Sequence, residues 1–365
     1  MAKRIVVLGL GRIGGAIAQI LHSHDDYEVT GADITPNAVA RFSHQFPTKL
    51  LSETSSEMRD YNDILAGQDA VISALTFNDN PYVAEAALAN GCSYFDLTED
   101  VRCTQAIKEI ALAAAPGQVF MPQCGLAPGF IGILGYSFRY SFDRLDSLKL
   151  RVGALPEYPS NQMMYNLTWS TEGLINEYAN PCESIKNHIP TLTEPLEGRE
   201  VFSISGVEYE AFNTSGGLAN LCYSLDGQLR ELTYKTIRYP GHCKLMKFLF
   251  HDLRLGEEGK RRDMLMEIFE SSVATTMQDL VLISVVATGY VDERLRQCSR
   301  TFLLRHTAEQ SAIQISTASA TVTTVDLILN SREQRQGFVE QETLDIEDFL
   351  GNEFAKAYRD AELSI

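Results

Sequence analysis

The sequence predicts an α/β protein: a Rossmann-type doubly wound parallel sheet joined to a second α/β domain built on a mixed or antiparallel sheet. Three observations predict it. Residues 3–33 read as strand, glycine-rich turn, helix, strand and terminal acid. Strand and helix then keep alternating to about residue 123. Beyond Tyr140 the strands lengthen, their side chains alternate in polarity, and fewer helices separate them. The first pattern belongs to a parallel sheet covered on both faces, the second to an open sheet covered on one.

The first unit opens on the apolar run Ile5-Val6-Val7-Leu8. Gly9, Gly11 and Gly14 follow in the three glycine positions of G-x-G-x-x-G, at the mouth of a helix expected over Arg12 to Ser23. A second strand is expected over Tyr27 to Ala32, and Asp33 stands 19 residues after Gly14. A lone G-x-G-x-x-G is a weak signal, but strand, helix and acid stand here where a dinucleotide-binding βαβ unit needs them. Gly9 makes the tight turn, Gly11 lets the backbone approach a pyrophosphate, and Gly14 lets the helix lie close on the strand. Free N–H groups at the helix start, around Arg12 and Ile13, attract the phosphate charge. Asp33 suits the adenosine ribose hydroxyls and repels a 2′-phosphate. No Arg or Lys occurs in Ile34 to Asn37, so the expected cofactor is NAD, with Arg41 the nearby cation that would alter this.

The alternation continues with a fourth strand over Asp69 to Leu75, a helix over Pro81 to Asn90 closed by Gly91, and a fifth strand over Cys92 to Leu97. A helix over Ala106 to Ala115 and a sixth strand over Gln118 to Gln123 complete the sheet. Pro81 fits a first helical turn, and Gly67 and Asp69 punctuate as turn residues do. In the second domain, strands are expected over Leu145 to Val152, Leu232 to Arg238, Leu280 to Tyr290 and Thr301 to Arg305. Helices are expected over Glu172 to Tyr178, Lys244 to Leu255 and Lys260 to Met277. A last helix, Ser311 to Leu329, crosses back. The expected division is 1–125 with the return segment 311–365 as the dinucleotide-binding domain, and 126–310 as the substrate-binding domain.

The chain's 365 residues suffice for two domains, and 45% hydrophobic content is ordinary for a globular fold. A formal charge of −17 argues against nucleic acid and anionic membrane as partners. No stretch reads as a membrane span. Met1-Ala2-Lys3-Arg4 runs straight into the first strand without a cleavable signal, so the expected location is the cytoplasm. Seven cysteines without C-x-x-C spacing read as free thiols, with no metal site.

Three segments carry a resemblance: Cys124-Gly125-Leu126-Ala127-Pro128-Gly129, the run Trp169-Ser170-Thr171-Glu172-Gly173-Leu174-Ile175-Asn176-Glu177-Tyr178, and Thr236-Ile237-Arg238-Tyr239-Pro240-Gly241-His242. Together with the N-terminal fingerprint and Gly337-Phe338-Val339, they resemble the saccharopine dehydrogenase family, and within it most the lysine 6-dehydrogenase branch. The resemblance covers nearly the whole chain and implies a Rossmann domain, an α/β domain and an active site in the cleft between them. It implies hydride transfer between a nicotinamide and a carbon bearing an amine. For the lysine branch the imine hydrolyses to allysine and ammonia, and the aldehyde cyclises to piperideine-6-carboxylate; for a saccharopine-type enzyme the amine is secondary.

Ligands of a doubly wound sheet sit outside the carboxyl ends of its strands. Leu75, Thr76 and Phe77 follow the fourth strand, Asp96, Leu97 and Thr98 end the fifth, and Cys124 to Gly129 follow the sixth. Leu75, Thr76 and Leu97 are therefore candidate cofactor contacts. Phe77 either lies against the nicotinamide or pads the crevice. Asp96 either holds the cationic amine near the hydride acceptor or caps the next helix. Cys124 either lines the site with Leu126 or assists proton transfer. Pro128 fits the first position of a following helix and Gly129 a close backbone approach.

Arg238 suits a bidentate clamp on an α-carboxylate, and His242 a general base for water or the amine proton. The alternative is a surface arginine and a helix-capping histidine, and the resemblance favours the functional role. Trp169 leads into the helix bearing Glu172 and Glu177, either of which could meet the far amino group of lysine; helix-start glutamates also occur for dipole reasons alone. Asn213 and Thr214 form a polar loop that touches substrate or is an ordinary turn. The expected activity is NAD-dependent oxidative deamination of the ε-amine of L-lysine. The alternatives are a saccharopine or carboxynorspermidine type reductase and a non-catalytic NAD-binding regulator. Apart from the small amino acid, the expected partner is a second copy in a homodimer.

Overall fold

The computed structural model describes residues 2–52, 58–331 and 335–364. Met1, and residues 332–334 and 365 of the segment expected to return to the first domain, lie outside them. The strands of the first unit are β1 (Lys3–Leu8), β2 (Tyr27–Asp33), β3 (Thr48–Leu50), β4 (Ala70–Ser73), β5 (Ser93–Asp96) and β6 (Val119–Met121). Those of the second are β7 (Arg144–Pro156), β8 (Cys182–Lys186), β9 (Ile189–Thr193), β10 (Glu200–Ile204), β11 (Val207–Asn213), β12 (Glu231–Arg238), β13 (Asp279–Val291) and β14 (Arg294–Arg305). A last short strand, β15 (Gly337–Phe338), belongs again to the first sheet.

The first sheet has the order β15-β6-β5-β4-β1-β2-β3, with every pairing parallel. Helices Arg12–His22, Asn80–Asn90 and Val101–Ile110 connect its strands in the expected alternation, the last of them beginning at Val101, ahead of the expected Ala106. Residues such as Ile5, Val6, Val7, Val71, Tyr94 and Phe120 are fully buried, which is why these strands read as continuous apolar runs. Gly91 closes its helix in the left-handed conformation, φ 67°. Pro128 departs from expectation: the next helix is Phe130–Ser137, so Pro128 stands ahead of it, in a turn that brings Gly129 against Gly125.

The second sheet runs β10-β11-β12-β7-β13-β14, with β8 pairing β12 and β9. It is mixed, because β7 and β12 are parallel while the other pairings are antiparallel. Period-two alternation sets Leu232, Tyr234, Thr236 and Arg238 on one face of β12, and the helix Thr171–Ala179 buries Leu174, Ile175 and Tyr178 in the core beside Phe212 of the neighbouring strand β11.

By contact density the units are Met1–Ile133 with Thr317–Lys356, and Leu134–Ser316 with Ala357–Ile365. The first unit thus extends past residue 125, and the C-terminal end departs from the expected return segment. Its backbone is tied to β14: Leu363 N–H donates to Thr301 O, and Glu362 bridges Phe302. A second correction concerns the helix Ala312–Leu329, which is long and apolar enough to cross a membrane by length and composition. It is 61% buried and carries the buried hydroxyls of Thr321, Thr323 and Thr324, as a core helix does.

Candidate active site

The glycine turn has the shape a dinucleotide needs. Gly9 adopts φ 87°, and a Cβ there would lie 2.8 Å from the carbonyl oxygen of Ala74. A Cβ on Gly14 would overlap the Gly9 carbonyl oxygen, so helix and strand touch where only hydrogen fits. At Gly11 nothing lies within 4 Å of that position. Gly11 caps the helix with no side chain covering its first N–H groups, and no acid occupies the first turn. This is an open cradle for a pyrophosphate. Arg12 is exposed at its rim, with Ile13 half-buried behind it, and Leu75 packs beside Gly9. Asp33 ends β2 with one carboxylate oxygen accepting from Leu10 N–H and the other from Thr35 N–H, each at 2.7 Å. These residues fit a nicotinamide dinucleotide: Gly9, Gly11 and the helix N–H groups would hold the pyrophosphate, Asp33 the adenosine ribose.

Asp96 has a different place from the one expected. It is fully buried and accepts hydrogen bonds from Gln123 N–H and Thr98 N–H at 2.9 Å, Tyr94 Oη–H at 2.7 Å and Asn80 Nδ2–H at 3.4 Å. Ser73 in turn donates to Asn80. Burial pushes the carboxyl up to about 6, against the pull of the donors from Gln123, Tyr94 and Thr98. Asp96 therefore knots the ends of β4, β5 and β6 together. Cys124 is likewise held inside: its thiol is buried, donates to Met121 O at 3.0 Å, and is pushed well above its ordinary pKa by burial and then by Asp96. Leu126 is buried, Leu97 and Phe77 are half-buried, and exposed Thr76 donates to Asp79 Oδ2 at the start of the next helix.

In the second unit Arg238 and His242 do meet, through a residue the sequence reading did not assign. Arg238 Nε–H donates to Tyr178 Oη at 2.9 Å, and Tyr178 Oη lies 3.1 Å from His242 Nε2. His242 Nδ1 lies 2.8 Å from the carbonyl oxygen of Met163. A carbonyl only accepts, so Nδ1 carries the proton, Nε2 accepts, and Tyr178 donates to it. Burial, then the charge of Arg238, lowers the His242 pKa to about 3, opposed by the bond to Met163. With both nitrogens engaged and the ring buried, His242 holds and orients Tyr178. Arg238 is buried too, with Tyr165 stacked 4.9 Å from its guanidinium carbon and Glu177 Oε2 3.7 Å from Nη2. Burial alone would lower its pKa, yet Tyr178, Tyr165 and Glu177 hold it above the ordinary value.

Trp169 is half-buried against this cluster's core, while Glu172 is exposed in the first helical turn, away from Arg238. Thr214 is buried and shares a 2.6 Å hydrogen bond with Thr236, and Asn213 Nδ2–H donates to Thr193 and to Glu194 O. Thr214 thus holds its loop against β12, and Asn213 holds the end of β9 against β11. Tyr165, Glu177 and Tyr178 complete the cluster. Glu177 is one of the two helix acids the sequence offers for the far amino group; the signal for Tyr165 and Tyr178 is hydroxyl-bearing residues in segments otherwise apolar enough to be core.

Residues 5–119 match the family model described as Saccharopine dehydrogenase NADP binding domain, and residues 125–357 match Saccharopine dehydrogenase C-terminal domain. The chain belongs to the saccharopine dehydrogenase family. A member of that name from Saccharomyces cerevisiae, saccharopine dehydrogenase (NADP(+), L-glutamate-forming), is 22% identical over 286 residues, covering 75% of this chain and 62% of that protein. The mitochondrial alpha-aminoadipic semialdehyde synthase of Rattus norvegicus is 25% identical over 197 residues, 51% of this chain and 20% of that one. The chain thus spans about a fifth of the rat protein and under two thirds of the yeast one. Among solved structures, apo saccharopine dehydrogenase (L-Glu forming) from S. cerevisiae superposes with TM-score 0.78 at 15% identity, over 96% of each chain. C. glutamicum DAP dehydrogenase in complex with DAP gives 0.51 at 12% identity, over 95% of each. At these identities the likeness is one of fold, and it confirms the saccharopine dehydrogenase architecture of two α/β units.

Proposed function

We propose that the chain is an NAD-dependent amino-acid dehydrogenase that oxidises the carbon–nitrogen bond at the ε-carbon of L-lysine, releasing ammonia and allysine. The observation that carries the substrate reading is the Arg238 cluster: one buried cation beside one carboxylate, with His242 held neutral by its two hydrogen bonds. Such a cluster suits one α-amino-acid head, and its single cation favours a substrate without the extra pair of carboxylates that a saccharopine arm brings. Asp33 supports NAD, since its carboxylate is fixed by two backbone N–H groups where a 2′-phosphate would lie.

Bound NAD supplies the hydride acceptor. Hydride leaves the ε-carbon, a proton leaves its nitrogen, and water adds to the imine with loss of ammonia. One lysine, one NAD⁺ and one water thus give allysine, ammonia, NADH and a proton. The residues of the chain bind and orient. The glycine turn and Asp33 seat the dinucleotide, Arg238 takes the α-carboxylate, and the Tyr178–His242 pair holds the guanidinium in place. Free lysine loses its side-chain proton with a pKa of about 10.4, so turnover should climb from neutral to alkaline pH.

The names of the relatives and of the first family model favour a second reading, in which the substrate is the secondary amine saccharopine and the cofactor NADP. The test is nicotinamide reduction by the purified protein at alkaline pH, with L-lysine and with saccharopine, each with NAD and NADP. Turnover of lysine with ammonia release supports the first reading, and turnover confined to saccharopine replaces it with the second. Cofactor binding without either turnover would make the chain a regulator.

A further inference from the structure

Arg238 is 2% exposed, and the side chain of Glu177 is 14% exposed beside it, with Oε2 3.7 Å from Nη2. That distance is an ion pair looser than a hydrogen bond. The other guanidinium edges are occupied: Nε donates to Tyr178 and Nη1 to Ile237 O. Nη2 is thus the edge turned toward Glu177. Against Arg238 lies Tyr165, with Thr168 close to its hydroxyl; both residues are 2% exposed, and Tyr165 Oη and Thr168 Oγ1 make no well-formed hydrogen bond, only weak interactions with each other and, for Tyr165, with Trp169. Buried hydroxyls are nearly always well satisfied, so two weakly held ones beside a buried ion pair mark a place where polar groups from outside the chain complete the network.

We propose that Glu177 is a specificity residue that binds the α-ammonium of the substrate while Arg238 binds its α-carboxylate, so that the pair reads a zwitterionic amino-acid head. Resting on the dehydrogenase reading above, the inference deepens it. Opposite charges side by side match the two ends of a free α-amino acid, and the Tyr165 and Thr168 hydroxyls supply donors for carboxylate oxygens left over. The clamp accepts any substrate arm with a free lysine-type head, which lysine and saccharopine share. It rejects amines lacking either charge. Glu172, exposed in the first turn of the same helix, takes no part.

The experiment is equilibrium binding to the NADH-loaded full chain by calorimetry, with L-lysine, saccharopine, 6-aminohexanoate (lysine without its α-amino group) and cadaverine (lysine without its carboxylate). The parent should prefer lysine or saccharopine over both truncated amines by at least tenfold. Glu177→Gln, which keeps the volume, should lose at least tenfold in affinity for the zwitterion while binding 6-aminohexanoate as the parent does. Glu177→Asp should recover part of the loss. Unchanged discrimination in Glu177→Gln, with zwitterions still bound, overturns the clamp and leaves the dehydrogenase reading standing. Failure of the parent to bind either amino acid overturns both.

Discussion

Asp33 is a carboxylate fixed in advance. Its two backbone donors hold both oxygens before any ribose arrives, so its effect on cofactor choice is electrostatic and local. Asp33→Ala should weaken NAD binding about tenfold and shrink the NAD-over-NADP preference by at least as much, read by fluorescence titration with each reduced cofactor. A variant as selective as the parent would place the discrimination elsewhere. Asp96 is the opposite kind of residue. Asp96→Ala leaves Tyr94 Oη–H and two backbone N–H groups buried without acceptors, which should cost about 3 kcal/mol in urea unfolding. A loss under 1 kcal/mol would show that water replaces the carboxylate. The glycines and Asp33 were legible in the sequence because their work is done by backbone spacing. The depth of Asp96, Cys124 and His242 was not, because a titratable residue in a sequence carries no mark of how far its side chain will be buried. His242 and Tyr178, 64 residues apart, meet only because of how β12 and the helix Thr171–Ala179 pack.

At the level of elements, the first helix makes a contrast that separates folding from binding. Gly14 needs hydrogen because a Cβ would overlap the Gly9 carbonyl, whereas the position above Gly11 is open. Gly11 also has φ −67°, which any residue adopts. Gly14→Ala should therefore cost about 2–3 kcal/mol of stability. Gly11→Ala should cost under about 1 kcal/mol yet weaken cofactor binding at least tenfold, because its methyl fills space the pyrophosphate needs. Paired unfolding and cofactor titrations check both, and equal stability losses would remove the distinction. Three hairpins of the second unit turn on two residues of positive φ: Asn187-His188, Ser205-Gly206 and Asp292-Glu293. Such turns match strand twist, but only Ser205-Gly206 carries a glycine. The β8–β9 turn therefore carries no glycine signal, the short β10–β11 pair falls outside the expected strands despite its glycine, and the expected start of β14 at Thr301 lies seven residues after the observed Arg294. The exposed stretch Arg294–Ser299 is polar enough to pass for loop, although it pairs with β13 throughout.

Across the whole molecule, two buried titratable groups pull the acid side of the stability curve in opposite directions. His242 has its pKa depressed from 6.5 to about 3, so between those values the unfolded chain binds the proton that the folded chain refuses. Stability from this group is complete above about 6.5 and is lost as pH falls toward 3. Asp96 has its pKa raised from 3.8 to about 6, so the folded chain holds a proton the unfolded chain has released, and stability grows as pH falls from 6 toward 3.8. Each full proton changes the slope by about 1.4 kcal/mol per pH unit. Between pH 4 and 6 the two slopes largely cancel. Replacing one group should therefore tilt the curve, and replacing the other should tilt it the other way. His242→Gln keeps a donor for Met163 and an acceptor for Tyr178, and relative to the parent it should gain stability as pH falls through this window. Asp96→Asn should lose it. Urea unfolding of the parent and both variants at intervals from pH 4 to 7 measures the slopes, with each read in its own transition if the two units unfold separately. Parallel curves for all three proteins would mean that neither group's pKa differs between the folded and the unfolded chain. Curves that diverge below pH 6 and converge above pH 7 would place a neutral His242 behind Tyr178, the arrangement that leaves Arg238 as the charge available to substrate.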